Sequence, residues 1–145
     1  MKILICGLPG SGKTTLAEPF AKLLGATWIN ADAIRKEYDD WDFTLEGRIR
    51  QAQRMRYLAD GIVKAGKICV ADFVAPTAQA RASFNADYVV WMDTIKEGRF
   101  EDTNKIFEPL GINEVNYHVS QWFDDTHEQL VQIVSKYMID YKNDR

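Results

Sequence analysis

The run Gly7-Leu8-Pro9-Gly10-Ser11-Gly12-Lys13-Thr14 fits the spacing G-x-x-x-x-G-K-[ST] and follows at once on an apolar stretch, Lys2 to Cys6. Glycines allow backbone torsions closed to other residues, so successive N–H groups can turn inward on an anion. Between a strand and a helix this pattern makes a phosphate cradle, with Gly7, Gly10, Ser11, Gly12, Lys13, Thr14 and Thr15 as the expected contacts. Lys13 reaches toward β- and γ-phosphates in such a cradle, and the Thr14 hydroxyl completes the shell of a Mg²⁺ ion. The chemistry implied is the binding of a nucleoside triphosphate.

A triphosphate can serve a kinase, a motor or a switch, so the other reactive side chains must decide. Asp32 and Arg35 follow the apolar exit Ile29-Asn30, where a carboxylate can orient an acceptor hydroxyl and a guanidinium can hold an anion. Asp72 ends another apolar run; it either acts near Mg²⁺, through water or the Thr14 hydroxyl, or only caps the turn. Arg48, Gln51 and Arg54 recur at three-residue steps without matching acids on that turn, and read as one wall of an anion-binding cleft. Arg50 and Arg56 read as plain surface.

Arg99 to Phe107 is polar, charge-mixed and without clear period, which suggests a mobile lid over about residues 95–110. Arg99 and Lys105 are its candidates to neutralise charge on a transferring group. His118 and His127 lack partners at metal-binding spacing and read as structural. Trp28, Trp91 and Trp122 read as core, whereas Trp41, beside Phe43, could be core or a platform for a ring.

The elements that must position these groups alternate along the chain. Strands are expected near 2–6, 26–30, 67–72, 87–92 and 116–120, and helices near 13–24, 32–38, 44–65, 77–84 and 124–141. That order implies an α/β, P-loop NTPase-type three-layer fold around a mostly parallel five-stranded sheet. Leu45, Ile49, Ala52, Met55, Ala59 and Ile62 form a core-facing stripe on the long third helix, and Gly66 fits the residue just past its end. Leu130, Ile133, Val134 and Tyr137 repeat the pattern in the last helix. Pro19 interrupts the first helix, yet the stripe Leu16, Phe20, Leu23 and Leu24 argues that the helix continues.

At 145 residues, 46% hydrophobic and 27% charged, the chain reads as one domain, 1–145, of ordinary globular composition. The net charge of −3 offers no general attraction for nucleic acid, so a polynucleotide partner is not expected. No membrane span or leader segment is evident, and Cys6 and Cys69 sit inside strands as buried reduced thiols. A cytoplasmic location is expected.

Taken together these residues resemble the adenylylsulfate kinase family. Its G-L-x-G-[SA]-G-K-[ST]-T is matched by Gly7 to Thr15, and its D-G-D-N-x-R by Asn30-Ala31-Asp32-Ala33-Ile34-Arg35. Its G-F-[ST]-x₄-R-x₂-N-x₂-R is matched by Asp42-Phe43-Thr44, Arg48, Gln51 and Arg54. Its F-I-S-P-x₄-R is matched by Phe73-Val74-Ala75-Pro76 and Arg81, and its V-D-T-P by Met92-Asp93-Thr94-Ile95. The resemblance implies transfer of the ATP γ-phosphate to the 3′-hydroxyl of adenosine 5′-phosphosulfate, a step of sulfate assimilation. Lys13, Asp32 and Arg99 would then be catalytic, with Thr14 and Asp72 at the metal. Asp32, Arg35, Phe43, Arg48, Gln51, Val74, Ala75, Pro76 and Phe107 would bind the acceptor, Phe43 and Phe107 stacking on its adenine. A homodimer is compatible with this reading.

The chain departs from the family at Asn30-Ala31, Gln51, Asp72 and Ala75, and lacks the lid pattern R-D-x-K-G-L-Y. A polynucleotide 5′-hydroxyl kinase or another small-molecule P-loop kinase therefore stays open, since Ile29 to Arg35 also fits I-N-x-D-x-x-R. A nucleotide-dependent switch is the third reading, but Phe107 stands where N-K-x-D needs its acid.

Overall fold

A computed structural model describes residues 1–143. Five strands, β1 (Lys2–Cys6), β2 (Thr27–Asn30), β3 (Cys69–Asp72), β4 (Tyr88–Met92) and β5 (Tyr117–Val119), form one sheet in the order β2-β3-β1-β4-β5. Every pairing is parallel, so the expected sheet is realised in full. The helices are α1 (Lys13–Leu24), α2 (Ala31–Tyr38), α3 (Leu45–Lys64), α4 (Ala78–Phe84), α5 (Glu101–Ile106) and α6 (Thr126–Asn143).

Because β1 is covered on both faces, all five of its residues are buried. Ile3 and Ile5 pack with Leu16 and Phe20 of α1 and Leu130 and Val134 of α6. Leu4 and Cys6 turn the other way, to Met55 and Ala59 of α3 and Phe84 of α4. Two cores on either side of one sheet make the three layers.

α1 runs unbroken through Pro19. Leu16 and Phe20 carry its core contact, whereas Leu23 is exposed, so the stripe is narrower than its spacing suggested. The same holds at the start of α3: Ala52, Met55 and Ala59 are buried, but Leu45 and Ile49 lie beyond the sheet and are exposed. Ile133 of α6 is exposed too. Gly66, at φ +82°, ends α3 as expected: its N–H bonds to Val63 O while the Lys67 N–H returns to Ile62 O.

The segment expected to be an irregular lid contains α5, a helix too short to show a period. Asn104 closes its entry by accepting from the Gly98 N–H at 2.8 Å and donating back to Gly98 O at 2.9 Å. The Thr94 hydroxyl donates to Ser11 O at 2.7 Å, which ties this segment to the first glycine-rich loop. Among the described residues no helix is long and apolar enough to cross a membrane, and Cys6 and Cys69 are buried free thiols.

Candidate active site

α1 begins at Gly12, at φ +97°, which offers no side chain to cap the first turn. Its leading N–H groups therefore lack the internal partner that a Ser or Asp would supply, and the positive end of the helix faces an incoming anion. Gly7 is needed for a different reason: a Cβ there would run into Met92 O. Lys13 lies at the same loop, its Nζ donating to Leu8 O at 3.1 Å. Burial pushes the Lys13 ammonium below its ordinary pKa, while Asp72 and then Asp32 pull it back.

A cavity of about 480 Å³ opens beside this loop, over the carboxyl ends of β2 and β3. Lys13, Thr14, Asp32, Phe43, Arg48, Asp72, Val74 and Arg99 all line it. Residues from five separate stretches of sequence thus meet in one hollow. Thr14 and Asp32 are exposed, Asp32 in the first turn of α2.

Trp41, Phe43 and Phe100, residues 51%, 47% and 50% exposed, stand at this one cavity. Uncovered aromatic rings at a pocket mouth are unusual unless a flat ligand covers them. Phe43 is braced from behind, with the Arg35 guanidinium 4.3 Å from its ring centre. Arg48 donates from Nε to Phe43 O at 2.8 Å and from Nη2 to Asp102 Oδ2 and Thr103 Oγ1, each at 3.1 Å.

Several expected contacts lie elsewhere. Phe107 faces away from the cavity: it packs with Phe84 and Leu110, near the Arg81 guanidinium, and borders a smaller cleft of about 250 Å³ behind α5. Phe100 occupies the place expected of it. Arg35 is buried and donates to the carbonyls of Asp40 and Asp42, so it shapes the 40–42 loop and does not line the cavity. Gln51 is also buried, donating to Ala31 O at 3.0 Å and accepting from Arg54 at 2.8 Å. Ala75, at φ +45°, and Pro76 are buried; their carbonyls accept from Arg81 and from the Glu108 N–H. Lys105 is exposed and outside the cavity lining.

Arg48, Arg50 and Arg54 of α3 do have matching acids, supplied from outside the helix. Asp40 accepts from Arg50 at 2.7 Å and from Arg54 at 2.9 Å, so Arg50 is not plain surface. Arg56 donates to Ser83 O at 2.7 Å. Trp28 donates to Asp72, Trp91 stacks on His118 at 4.5 Å, and Trp122 is exposed, so none of these indoles is simply core. Sequence reasoning missed Phe100: Glu101 and Asp102 after it mark a helix start, but that signal does not say which ring turns inward.

The fold and this arrangement define a P-loop kinase scaffold. Residues 1–95 match the family model described as adenylylsulphate kinase, and the chain belongs to that family. A curated relative, the probable adenylyl-sulfate kinase of Aeropyrum pernix, is 33% identical over 85 residues, which cover 54% of this chain and 46% of that protein. The match thus spans about half the length of this relative. Among solved structures, the Mycobacterium tuberculosis APS kinase CysC in complex with AMPPNP and APS superposes with a TM-score of 0.71 at 16% identity, covering 92% of this chain and 96% of that one. Shikimate kinase from Acinetobacter baumannii, in complex with shikimate, superposes at 0.57 with 19% identity, over 97% and 94% of the two chains. Likeness at such identities is a likeness of fold.

Proposed function

We propose that this protein transfers the γ-phosphate of ATP to the 3′-hydroxyl of adenosine 5′-phosphosulfate. The observation that carries the reading is the cavity itself, whose lining brings together the phosphate cradle, exposed aromatic residues and Arg48. The family membership and the nucleotide pair named for the mycobacterial relative support the same assignment.

In this reading the donor phosphates rest on the N–H groups that open α1, with Lys13 against their outer oxygens. The acceptor adenine lies between Phe43 and Phe100, flanked by Trp41; stacking of bases on aromatic side chains contributes about 1–3 kcal/mol per base. Arg48 takes the acceptor's anionic group after leaving Asp102. Asp32 accepts a hydrogen bond from the acceptor hydroxyl and receives its proton as the new O–P bond forms and the bond from the γ-phosphorus to the bridging oxygen breaks, leaving ADP. Arg99, on the 95–110 lid, offsets charge on the moving phosphoryl group, and closure of that lid keeps water out.

The oxygen donors here fit Mg²⁺, which keeps most of its water and takes few protein ligands. Thr14 Oγ1 would hold it at the start of α1. When bound it neutralises charge between β- and γ-phosphates.

Incubation with γ-labelled ATP and a panel of acceptors tests the assignment. Label should move to adenosine 5′-phosphosulfate, and Lys13→Ala should abolish the transfer. Label on 5′-hydroxyl oligonucleotides or nucleosides instead would overturn it.

A further inference from the structure

Asn30 and Asp72 are register partners at the carboxyl ends of β2 and β3. Side chains paired across a ladder project from the same face, so these two meet directly below the phosphate loop. Asn30 caps α2: its Oδ1 accepts from the Ala33 N–H at 2.9 Å. That bond fixes which end of the amide is which, and leaves Nδ2 as the donor on the other side. Nδ2 donates to Asp72 Oδ1 at 2.9 Å and to Thr14 Oγ1 at 3.3 Å. The remaining oxygen of Asp72 accepts from Trp28 Nε1 at 2.5 Å.

Both carboxylate oxygens are therefore engaged by protein N–H groups, and the residue is only 2% exposed. We propose that Asp72 is a positioning residue, not a metal ligand: through Asn30 it orients the Thr14 hydroxyl toward the nucleotide-bound cation. This rests on the reading of the cavity as a Mg–ATP site. The N–H from Asn30 occupies one lone pair of Thr14 Oγ1 and leaves the other for a hard cation. A charged acceptor behind the amide strengthens that donor. Asp72 is also the leading opposite charge acting on Lys13. One buried acid thus steadies two successive residues of the cradle.

The arrangement can be turned around without losing a hydrogen bond. With Asn30→Asp and Asp72→Asn together, the carboxylate at position 30 still accepts from Ala33 N. The amide at position 72 accepts from Trp28 and donates across the ladder, and Thr14 donates instead of accepting. Either substitution alone breaks the match: Asp72→Asn sets donor against donor, and Asn30→Asp sets acid against acid. A third variant, Asn30→Ser, keeps a cap for α2 but has no second N–H for Thr14.

Calorimetric binding of a non-hydrolysable ATP analogue, with Mg²⁺ and with EDTA, gives the gain in affinity due to the cation for each protein. Asp72→Asn and Asn30→Ser should each reduce that gain by about 10-fold or more, the scale seen when partners of metal-holding groups are removed. The EDTA affinity of Asn30→Ser should stay near the wild-type value, and the double variant should recover most of the gain. Equal loss with and without Mg²⁺, or a double variant no better than Asp72→Asn, would overturn the proposal. So would an Asn30→Ser protein with the full gain beside an Asp72→Asn protein without it, which would make Asp72 a ligand in its own right. A wild-type protein whose affinity owes nothing to Mg²⁺ would fail the nucleotide reading before any variant is compared, and this inference with it.

Discussion

Arg48 Nη2 lies 3.1 Å from Asp102 Oδ2, so the guanidinium proposed to receive the acceptor's anion is held by an acid of α5. Asp102 is largely exposed while the Arg48 side chain is mostly covered. The bond therefore forms at the cavity rim, where ion pairs contribute about 0.2–1 kcal/mol. In the proposed reading an acceptor anion competes with Asp102 for the Arg48 guanidinium.

Asp102→Asn should weaken that competition and lower the acceptor KM by about 1.5- to 5-fold, the equivalent of a rim ion pair. The KM for ATP should not move, because the cradle does not touch Asp102. Steady-state kinetics with each substrate varied in turn gives the answer. A rise in acceptor KM would mean that Asp102 holds the acceptor and does not compete with it.

The aromatic rings can be separated by the same split. Phe43→Ala and Phe100→Ala should each raise the acceptor KM by about 5- to 150-fold, the equivalent of losing one stacked base contact. Phe107→Ala should leave the acceptor KM near normal and lower the melting temperature, since its ring packs with Phe84 and Leu110. Phe107 is only partly buried, so its loss should cost less than the about 1.5–3 kcal/mol of a fully buried ring. An acceptor KM that responds to Phe107 and not to Phe100 would restore the stacking partner expected from the sequence.

That exchange shows where the sequence was legible. Alternating apolar runs and glycine positions depend on local torsions and burial, so the strands, α1, the end of α3 and the cradle could all be read directly. Phe43 and Arg48 were legible because they sit at fixed spacing on one helix start. Phe100 and Phe107 both belong to a segment whose only helix has six residues, too few for a period to say which ring turns inward. Arg35 and Gln51 misled for another reason. A buried arginine bonded to carbonyls and a free arginine facing an anion have the same spacing; only the fold of the 40–42 loop tells them apart. The acid that answers Arg50 and Arg54 comes from that loop, off the helix on which their pattern was read.

The same loop sets an acid limit on the site. Hydrogen bonds from Arg50 and then Arg54 hold the Asp40 carboxyl well below the usual carboxylate range. A depressed folded-state pKa means that the unfolded chain binds the proton more readily, so the linked stability is present in full above the ordinary Asp value, near about 4. It is lost as pH falls through that value and on toward the folded one. Asp40→Asn removes this contribution at every pH. The wild-type protein should therefore melt above the variant at pH 7, and the gap should close progressively below about pH 4. Asp60 and Glu114 are depressed as well, but they titrate in both proteins and cancel in the difference, whereas Asp42 shares Arg50 with Asp40 and belongs to the same acid-sensitive pair. Thermal melts of the pair from neutral to acid pH measure it. Because Trp41 and Phe43 border this loop, the acceptor KM should rise in the variant at pH 7, and an unchanged KM would detach the Asp40 ion pairs from the acceptor wall.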